Sequence, residues 1–461
     1  MAVTRVPVDR LTVQDLSMLW PDDFGWPQDI GVIAVLDGTE LLDTAGRVRI
    51  EGVRDAITSR LLLVPRLRQV VHHPRLGLGR PLWVDVPSFS VADHVRVLPL
   101  PAAADDEPLL RACEQLQCRP FDHSRPLWQL WLLPGLPDGR VGMFMKVHHV
   151  LADGVAGLAL LGALLDLTPA APARAAAVPW VPRPVPPARE LMIDNLRRYA
   201  AALGATASWL AHPVRTVRRA RTVWPAVREV FWAQPAPRTS LNRPIGTGRR
   251  IGVCRGRLHR AKDLAHAAGA KVNDVVLAAI AGGLRDLLQA RGESVDDLVL
   301  RAAVPVSLHR GSPERARGNL DAGMVVHLPI GEPDHRRRLR LIAEETAKSK
   351  TTVNQLAETG VLGFAPARKL MLAKMGRQRF ANIYVANVPG PPVPLYLAGA
   401  RLLEMYPVVP LTGNMTLGVG VLSYCGQLNV TAVADQNGGT DLPVFLAGIR
   451  PVLDQAAPAS I

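Results

Sequence analysis

The alternation of apolar and polar positions predicts two runs of mixed helices and strands in this chain. Before residue 168, an alternating or continuous apolar pattern at 31–36, 95–98 and 141–147 is typical of strands. Apolar residues spaced three or four apart at 51–63 and 109–118 are typical of amphipathic helices. The first part of the chain is therefore predicted to be α/β.

The same kinds of pattern return after residue 250. The predicted elements are strands at 251–258, 298–306, 324–328, 380–387, 401–407, 417–424 and 428–433, and helices at 273–289 and 336–356. The last two strands are predicted to form a hairpin through Cys425 and Gly426. Some predicted strands alternate with helices and others form hairpins, so mixed sheets are expected.

Seven prolines between residues 169 and 187 separate the two runs, and such a composition favours extended backbone. We therefore predict an N-terminal subdomain at 1–168, a connector at 169–250 and a C-terminal subdomain at 251–461.

Composition narrows the class of protein. Apolar residues make up 48% of the 461 residues, which is enough for a substantial core. The four cysteines have no metal-like spacing and indicate a reducing compartment. The N-terminus lacks an apolar run of signal-peptide length, and the longest apolar run, at 155–165, is too short to span a bilayer. A cytoplasmic protein is expected.

The net charge of +14 is concentrated in one segment. Residues 183–250 contain thirteen arginines, no lysine and three acidic residues, and apolar residues recur at helical spacing within 214–232. Pro213 and Pro225 favour two short helices there rather than one. This basic stretch fits a solvated helical face, an anionic membrane surface or, less well, a nucleic acid.

The strongest chemical feature is the sequence His148-His149-Val150-Leu151-Ala152-Asp153-Gly154, which joins the 141–147 strand to a helical pattern. A neutral imidazole at such a junction can accept a proton from a hydroxyl at ordinary pH. A purely structural role is also open, since Asp153 is a good helix N-cap and a histidine can be held by hydrogen bonds at a strand end. Gly154 allows close approach of the backbone.

These residues match the HHxxxDG signature of the CoA-dependent acyltransferase superfamily. Further motifs make the chain resemble the bacterial wax ester synthase/diacylglycerol acyltransferase family nearly end to end. They are Val64-Pro-Arg-Leu-Arg68, Pro81-Leu-Trp83, His94-Val95, Arg125-Pro-Leu-Trp128, Asn273-Asp274, Val304-Pro-Val-Ser307, Gly318-Asn319, Asn387-Val-Pro-Gly-Pro391 and Ser423-Tyr-Cys-Gly426.

The resemblance implies two chloramphenicol-acetyltransferase-like subdomains with a tunnel between them. It also implies transfer of a long-chain acyl group from acyl-CoA, a substrate, to the hydroxyl of diacylglycerol or a fatty alcohol. By similarity His149 is the general base, whereas His148 and Asp153 support it, and Asp153 pairs with Arg68. No metal and no further cofactor are expected.

The resemblance assigns roles to other residues as well. Pro126, Leu127, Trp128 and Asn387 are expected to contact substrate, although core packing or a turn also explains them. Asn273 and Asp274 fit either a helix cap or a functional pair.

Three alternatives remain open on the sequence. The chain could acylate another hydroxyl acceptor such as a polyketide, coat a lipid surface without catalysis, or, less plausibly, bind nucleic acid through its basic segment. For the acyltransferase, the connector implies peripheral contact with an anionic membrane or a lipid droplet.

Overall fold

The computed structural model describes residues 8–152, 154–169, 180–211, 217, 221, 235–307, 321–357, 372, 374–438 and 441–454. The described helices are α1 (Val13–Leu19), α2 (Ile50–Arg60), α3 (Glu107–Cys118), α4 (Gly154–Leu164), α5 (Ala188–Ala211), α6 (Leu258–Ala267), α7 (Val272–Ala290), α8 (His335–Ala357) and α9 (Leu442–Asp454). The described strands of the first half are β1 (Asp29–Leu36), β2 (Gln69–His72), β3 (Leu82–Asp85), β4 (Val95–Val97), β5 (Trp128–Pro134) and β6 (Val141–His148). Those of the second half are β7 (Arg249–Arg257), β8 (Val299–Ser307), β9 (Asp321–Pro329), β10 (Ile383–Val388), β11 (Tyr396–Leu397), β12 (Ala400–Val408), β13 (Leu417–Tyr424) and β14 (Gln427–Asp435).

Two six-stranded sheets and a small β2–β3 sheet organise these elements, and both large sheets are mixed, as predicted. The first has the order β11-β12-β1-β6-β5-β4, in which only the β4–β5 pair is parallel. The second has the order β7-β14-β13-β10-β8-β9, in which β10 is parallel to both neighbours. The predicted α/β fold class is confirmed.

One strand crosses between the halves. The predicted strand at 401–407 exists as β12, but it pairs with β1 of the first sheet, with Gly31 opposite Val408 and Ile33 opposite Tyr406. Without β12, the N–H and C=O groups along this edge of β1 would be unpaired. The first sheet is therefore completed by the C-terminal part of the chain, which a division at residues 168 and 250 does not anticipate.

The predicted hairpin at the end of the second sheet is confirmed. Tyr424 of β13 lies opposite Gln427 of β14, so Cys425 and Gly426 alone form the loop. Both have positive φ, 45° for Cys425 and 81° for Gly426, as a two-residue type I′ turn requires.

Each sheet has its own hydrophobic core. The apolar faces of α2 and α4 pack on one side of the first sheet, and α3 packs on the other side. Helices α6 to α9 cover the second sheet, and α7 is buried along most of its length. Ile33, Val35 and Phe144 of the first sheet join Ile251 and Val433 of the second in one cluster, which holds the two sheets together.

The connector is more regular than its composition predicts. After Pro187 the chain forms the 24-residue helix α5, which the pattern did not predict. The basic stretch at 214–232, with its two predicted helices, lies outside the described residues apart from Val217 and Arg221. Among the described helices, none alone has the length and apolar character to cross a membrane, whereas α6 and α7 reach that threshold only as a pair bent by 99°.

Candidate active site

A cavity of about 120 Å³ lies between the two sheets, where the predicted tunnel would pass. Strands β1 and β6 and helix α4 form its wall on the first half, and residues of β8, β10 and β13 form the wall on the second. The lining is mostly apolar. Among the described lining residues, only His149, Tyr384 and Asn387 carry polar side-chain groups.

His149 reaches this cavity because β6 ends one residue before it. The chain turns after His148, and the backbone N–H of His149 donates to the carbonyl oxygen of Gln28 at 2.7 Å. The Gln28 side-chain amide donates in turn to the Thr412 hydroxyl at 2.9 Å, which links this turn to the second half. His149 is only 8% exposed. A buried imidazole therefore faces an apolar cavity formed by both halves.

His148 points elsewhere and is held on both ring nitrogens. Its Nδ1 accepts a hydrogen bond from the backbone N–H of Val150 at 3.1 Å. A nitrogen that accepts carries no proton, so in the neutral ring the proton is on Nε2, which lies 3.1 Å from the Asp22 carboxylate. His148 is not among the described residues that line the cavity. Its contacts hold the turn that presents His149.

Asn387 and Asn273 meet at the cavity. Asn387 is on β10 and lines the cavity, and its Nδ2 donates to Oδ1 of Asn273, near the start of α7, at 3.2 Å. Of the residues predicted to contact substrate, Asn387 is thus the one that lines the cavity. The sequence did not predict that Asn273 would orient it.

The Asp274 side chain makes hydrogen bonds that stabilise the start of α7. The N-cap of α7 is Lys271, whose backbone N–H donates to Asp274 Oδ2 at 2.8 Å, so the cap lies two residues before the predicted Asn273-Asp274 pair. The other carboxylate oxygen accepts from the hydroxyl of Thr346 on α8 at 2.8 Å. Asp274 therefore fixes the start of α7 and ties two helices together.

Pro126, Leu127 and Trp128 lie away from the cavity, and none is among the described residues that line it. Leu127 and Trp128 are buried, and the Trp128 ring stacks on His94 at a centroid distance of 4.6 Å. The Trp128 indole N–H donates to the carbonyl of Leu67, and the carbonyl of Leu127 accepts from the backbone N–H of His148. Through these contacts the segment packs against β6, and its three residues do not line the described cavity.

Asp153 lies outside the described residues, so its predicted pairing with Arg68 stays a prediction. Arg68 is buried, and its guanidinium lies 4.7 Å from the ring centre of Trp180. Gly154 is the first residue of α4, as expected for the residue where the turn becomes a helix.

A buried ion pair underlies the histidine turn. Asp29 is opposite His148 in the β1–β6 pair, and its carboxylate lies 2.8 Å from the ammonium of Lys146. Both side chains are almost fully buried, and Lys146 also donates to the carbonyl of Arg119 and lies over the Phe121 ring. Burial raises the pKa of the Asp29 carboxyl, an effect that the positive charge of Lys146 opposes.

Two glycines that the sequence pattern alone does not single out line the cavity. A Cβ on Gly31 would lie 2.9 Å from the Phe144 ring, and a Cβ on Gly157 would lie 3.3 Å from Ile30. Gly31 lies in a strand pattern, where a glycine often marks a close approach, whereas Gly157 lies on helix α4.

The fold matches solved structures along almost the whole chain. The wax ester synthase/diacylglycerol acyltransferase from Marinobacter aquaeolei VT8 is similar with a TM-score of 0.67 and 23% identity, covering 96% of this chain and 98% of that one. The first condensation domain of the CDA synthetase is similar with a TM-score of 0.60 and 18% identity, covering 98% and 97%. The fold is thus that of two-subdomain enzymes with a chloramphenicol-acetyltransferase-like architecture.

Sequence comparisons identify the family within that class. Residues 11–276 match the wax ester synthase/diacylglycerol acyltransferase catalytic domain, and residues 317–455 match the WS/DGAT C-terminal domain. A putative diacylglycerol O-acyltransferase of Mycobacterium tuberculosis is 30% identical over 451 residues, covering 93% of this chain and 86% of the relative. Another from the same species is 31% identical over 415 residues, covering 87% and 86%. The chain belongs to the wax ester synthase/diacylglycerol acyltransferase family and is an acyltransferase of lipid biosynthesis.

Proposed function

We propose that the enzyme transfers a long-chain fatty acyl group from acyl-CoA to the hydroxyl of diacylglycerol, with a fatty alcohol as a second acceptor. The observation that carries this proposal is the placement of His149, a buried imidazole that opens onto an apolar cavity between the two halves. The names of the mycobacterial relatives support the acceptor. A starter condensation domain of similar fold has been solved in complex with C8-CoA, which supports the donor.

In the proposed reaction, neutral His149 removes the proton from the acceptor hydroxyl as its oxygen attacks the thioester carbon. The carbonyl oxygen becomes an oxyanion in the tetrahedral intermediate. When the intermediate collapses, the C–S bond breaks, and the CoA thiolate takes the proton from the imidazolium. The products are an ester and free CoA. Because a thioester has a good leaving group, one base and the placement of both substrates account for the step.

Release of free CoA by purified enzyme tests this function. The enzyme is given palmitoyl-CoA with dioleoylglycerol, with hexadecanol, or with neither. We expect the fastest release with dioleoylglycerol, slower release with hexadecanol and little with neither. Equal release without an acceptor would instead indicate thioester hydrolysis, and activity only with another hydroxyl compound would favour the alternative acceptor class.

The Asn387 carboxamide is the group that we expect to stabilise the oxyanion. An amide nitrogen has two N–H donors, and Asn273 occupies one of those of Asn387. The second donor can serve the negative oxygen in an apolar cavity, where such a hydrogen bond is strong.

Replacement of this carboxamide should therefore slow the chemical step. We expect Asn387→Asp to lower kcat about a hundredfold with little change in KM, because donors are lost and a negative charge is added. Asn273→Ala should lower kcat about tenfold through misorientation of Asn387. The two parameters are measured separately for each variant. A rise in KM at unchanged kcat would assign Asn387 to substrate holding alone.

Gly157 should limit the size of the acyl chain, because its missing side chain leaves room in the cavity. We expect Gly157→Leu to lower turnover of palmitoyl-CoA about tenfold relative to octanoyl-CoA, since the added side chain occupies part of the cavity. Gly162→Leu is the matched control, because Gly162 is on the same helix, exposed, and has open space where its Cβ would lie. Equal chain-length profiles for the two variants would show that the tail does not pass Gly157.

A further inference from the structure

Helix α5 carries an apolar stripe that the described part of the protein leaves exposed. Met192, Leu196, Tyr199 and Leu203 recur at four-, three- and four-residue steps, so they lie along one face of the helix. They are 47%, 59%, 62% and 71% exposed. Every residue from 196 to 204 is exposed, so this part of the helix projects from the body. Large apolar side chains grouped in this way mark an interaction site.

The other side of α5 is fixed to the first half. Leu191 is buried with Leu82 and Val84, and the Arg10 guanidinium lies 2.6 Å from the Asp194 carboxylate. Because these contacts occupy the start of the helix, the stripe has a defined orientation relative to the body.

One more exposed apolar residue lies beside the stripe. The Asn195 side chain donates to the carbonyl of Gly77 at 3.0 Å, which brings the β2–β3 loop against α5. Leu76 in that loop is fully exposed. The loop and the stripe thus form one surface, which we call the α5 surface.

The charge of the α5 surface indicates which kind of partner it binds. Residues 73–80 and 196–204 each contain two arginines and no acidic residue, and only Arg198 of these pairs with Asp194, at 3.1 Å, so the surface keeps a positive charge. Two copies of the chain related by a twofold axis would place these like charges against each other. An anionic lipid surface instead attracts the arginines and takes up Leu and Tyr side chains at its boundary.

We infer that the α5 surface docks the enzyme onto an anionic lipid bilayer. This inference deepens the proposed function and rests on it, because docking serves an acceptor, diacylglycerol, that is dissolved in lipid. The docking residues differ from the basic stretch at 214–232 that the sequence indicated.

Flotation of the full chain with vesicles tests the docking independently of catalysis. One set of vesicles is phosphatidylcholine, and the other contains phosphatidylglycerol as well. We expect binding to the anionic vesicles, a decrease with added salt, and a loss of about tenfold or more in the partition coefficient for Leu203→Glu. Ala201→Glu is the matched control, since it adds the same charge two residues away on another face of the helix, and it should lose far less.

Size-exclusion chromatography of the same variants distinguishes the competing partner. If Leu203→Glu converts a dimer to a monomer and leaves vesicle binding intact, the α5 surface is a contact between copies and the inference is wrong. Equal binding by the Leu203 and Ala201 variants, or no binding by the unaltered chain, would also overturn it. Because flotation requires no turnover, an inactive enzyme that still binds would count against the proposed function alone.

Discussion

Replacement of His149 by alanine is expected to lower acyl transfer about 10³-fold while the protein stays folded. A positioned general base contributes roughly 10²- to 10⁴-fold, and His149 is the only described cavity-lining side chain with an imidazole. The measurement is free CoA released from palmitoyl-CoA with dioleoylglycerol, with circular dichroism as the check on folding.

His73→Ala is the matched control for this experiment. His73 also belongs to an adjacent histidine pair, but it is exposed and is not among the described residues that line the cavity. It should retain full activity. Undiminished transfer by a well-folded His149→Ala variant would refute the base assignment and revive a non-catalytic, lipid-coating role.

Replacement of Lys146 by methionine is expected to lower the free energy of unfolding by about 3–5 kcal/mol. The substitution leaves the Asp29 carboxylate buried without its partner cation, and an unpaired buried charge costs about this much. Urea unfolding followed by tryptophan fluorescence measures the loss. Lys262→Met, at an exposed lysine on α6, controls for the substitution itself.

The pH dependence of this loss has a definite sign. Without Lys146, burial holds the folded-state pKa of Asp29 further above the unfolded value near 3.9. Between these two pKa values the folded state binds more protons than the unfolded state, so the variant's stability falls as pH rises. The deficit relative to the unaltered protein should therefore grow as the pH rises above about 4 and level off above the folded-state pKa of Asp29 in the variant.

A double variant completes the cycle. Asp29→Asn with Lys146→Met removes both charges and should recover part of the stability lost by Lys146→Met alone. If Lys146→Met costs less than about 1 kcal/mol, the buried ion pair does not stabilise the fold to the expected extent.

The local pattern predicted most elements because each depends on a short segment. The α7 helix and the β13–β14 hairpin follow from apolar spacing and from turn residues that tolerate positive φ. The pattern does not predict helix α5, because its apolar stripe follows a proline-rich segment whose composition favours extended backbone.

Pairing between distant segments was beyond the sequence pattern. Strand β12 has the same alternation whether it joins the second sheet or the first, and only the three-dimensional packing places it beside β1. The same limit applies to Trp128. Its motif suggested substrate contact, whereas its ring lies in the core, stacked on His94.

The sequence by itself determined the α/β class, the family motifs and the identity of the histidine turn, because these are properties of contiguous residues. Only the tertiary structure decided that His149 faces a cavity while His148 contacts Asp22, that Asn273 orients Asn387 across 114 positions, and that Lys146 pairs with Asp29. These relations depend on which face of each strand meets which neighbour. That choice is made by the burial of both sheets together, and no single segment encodes it.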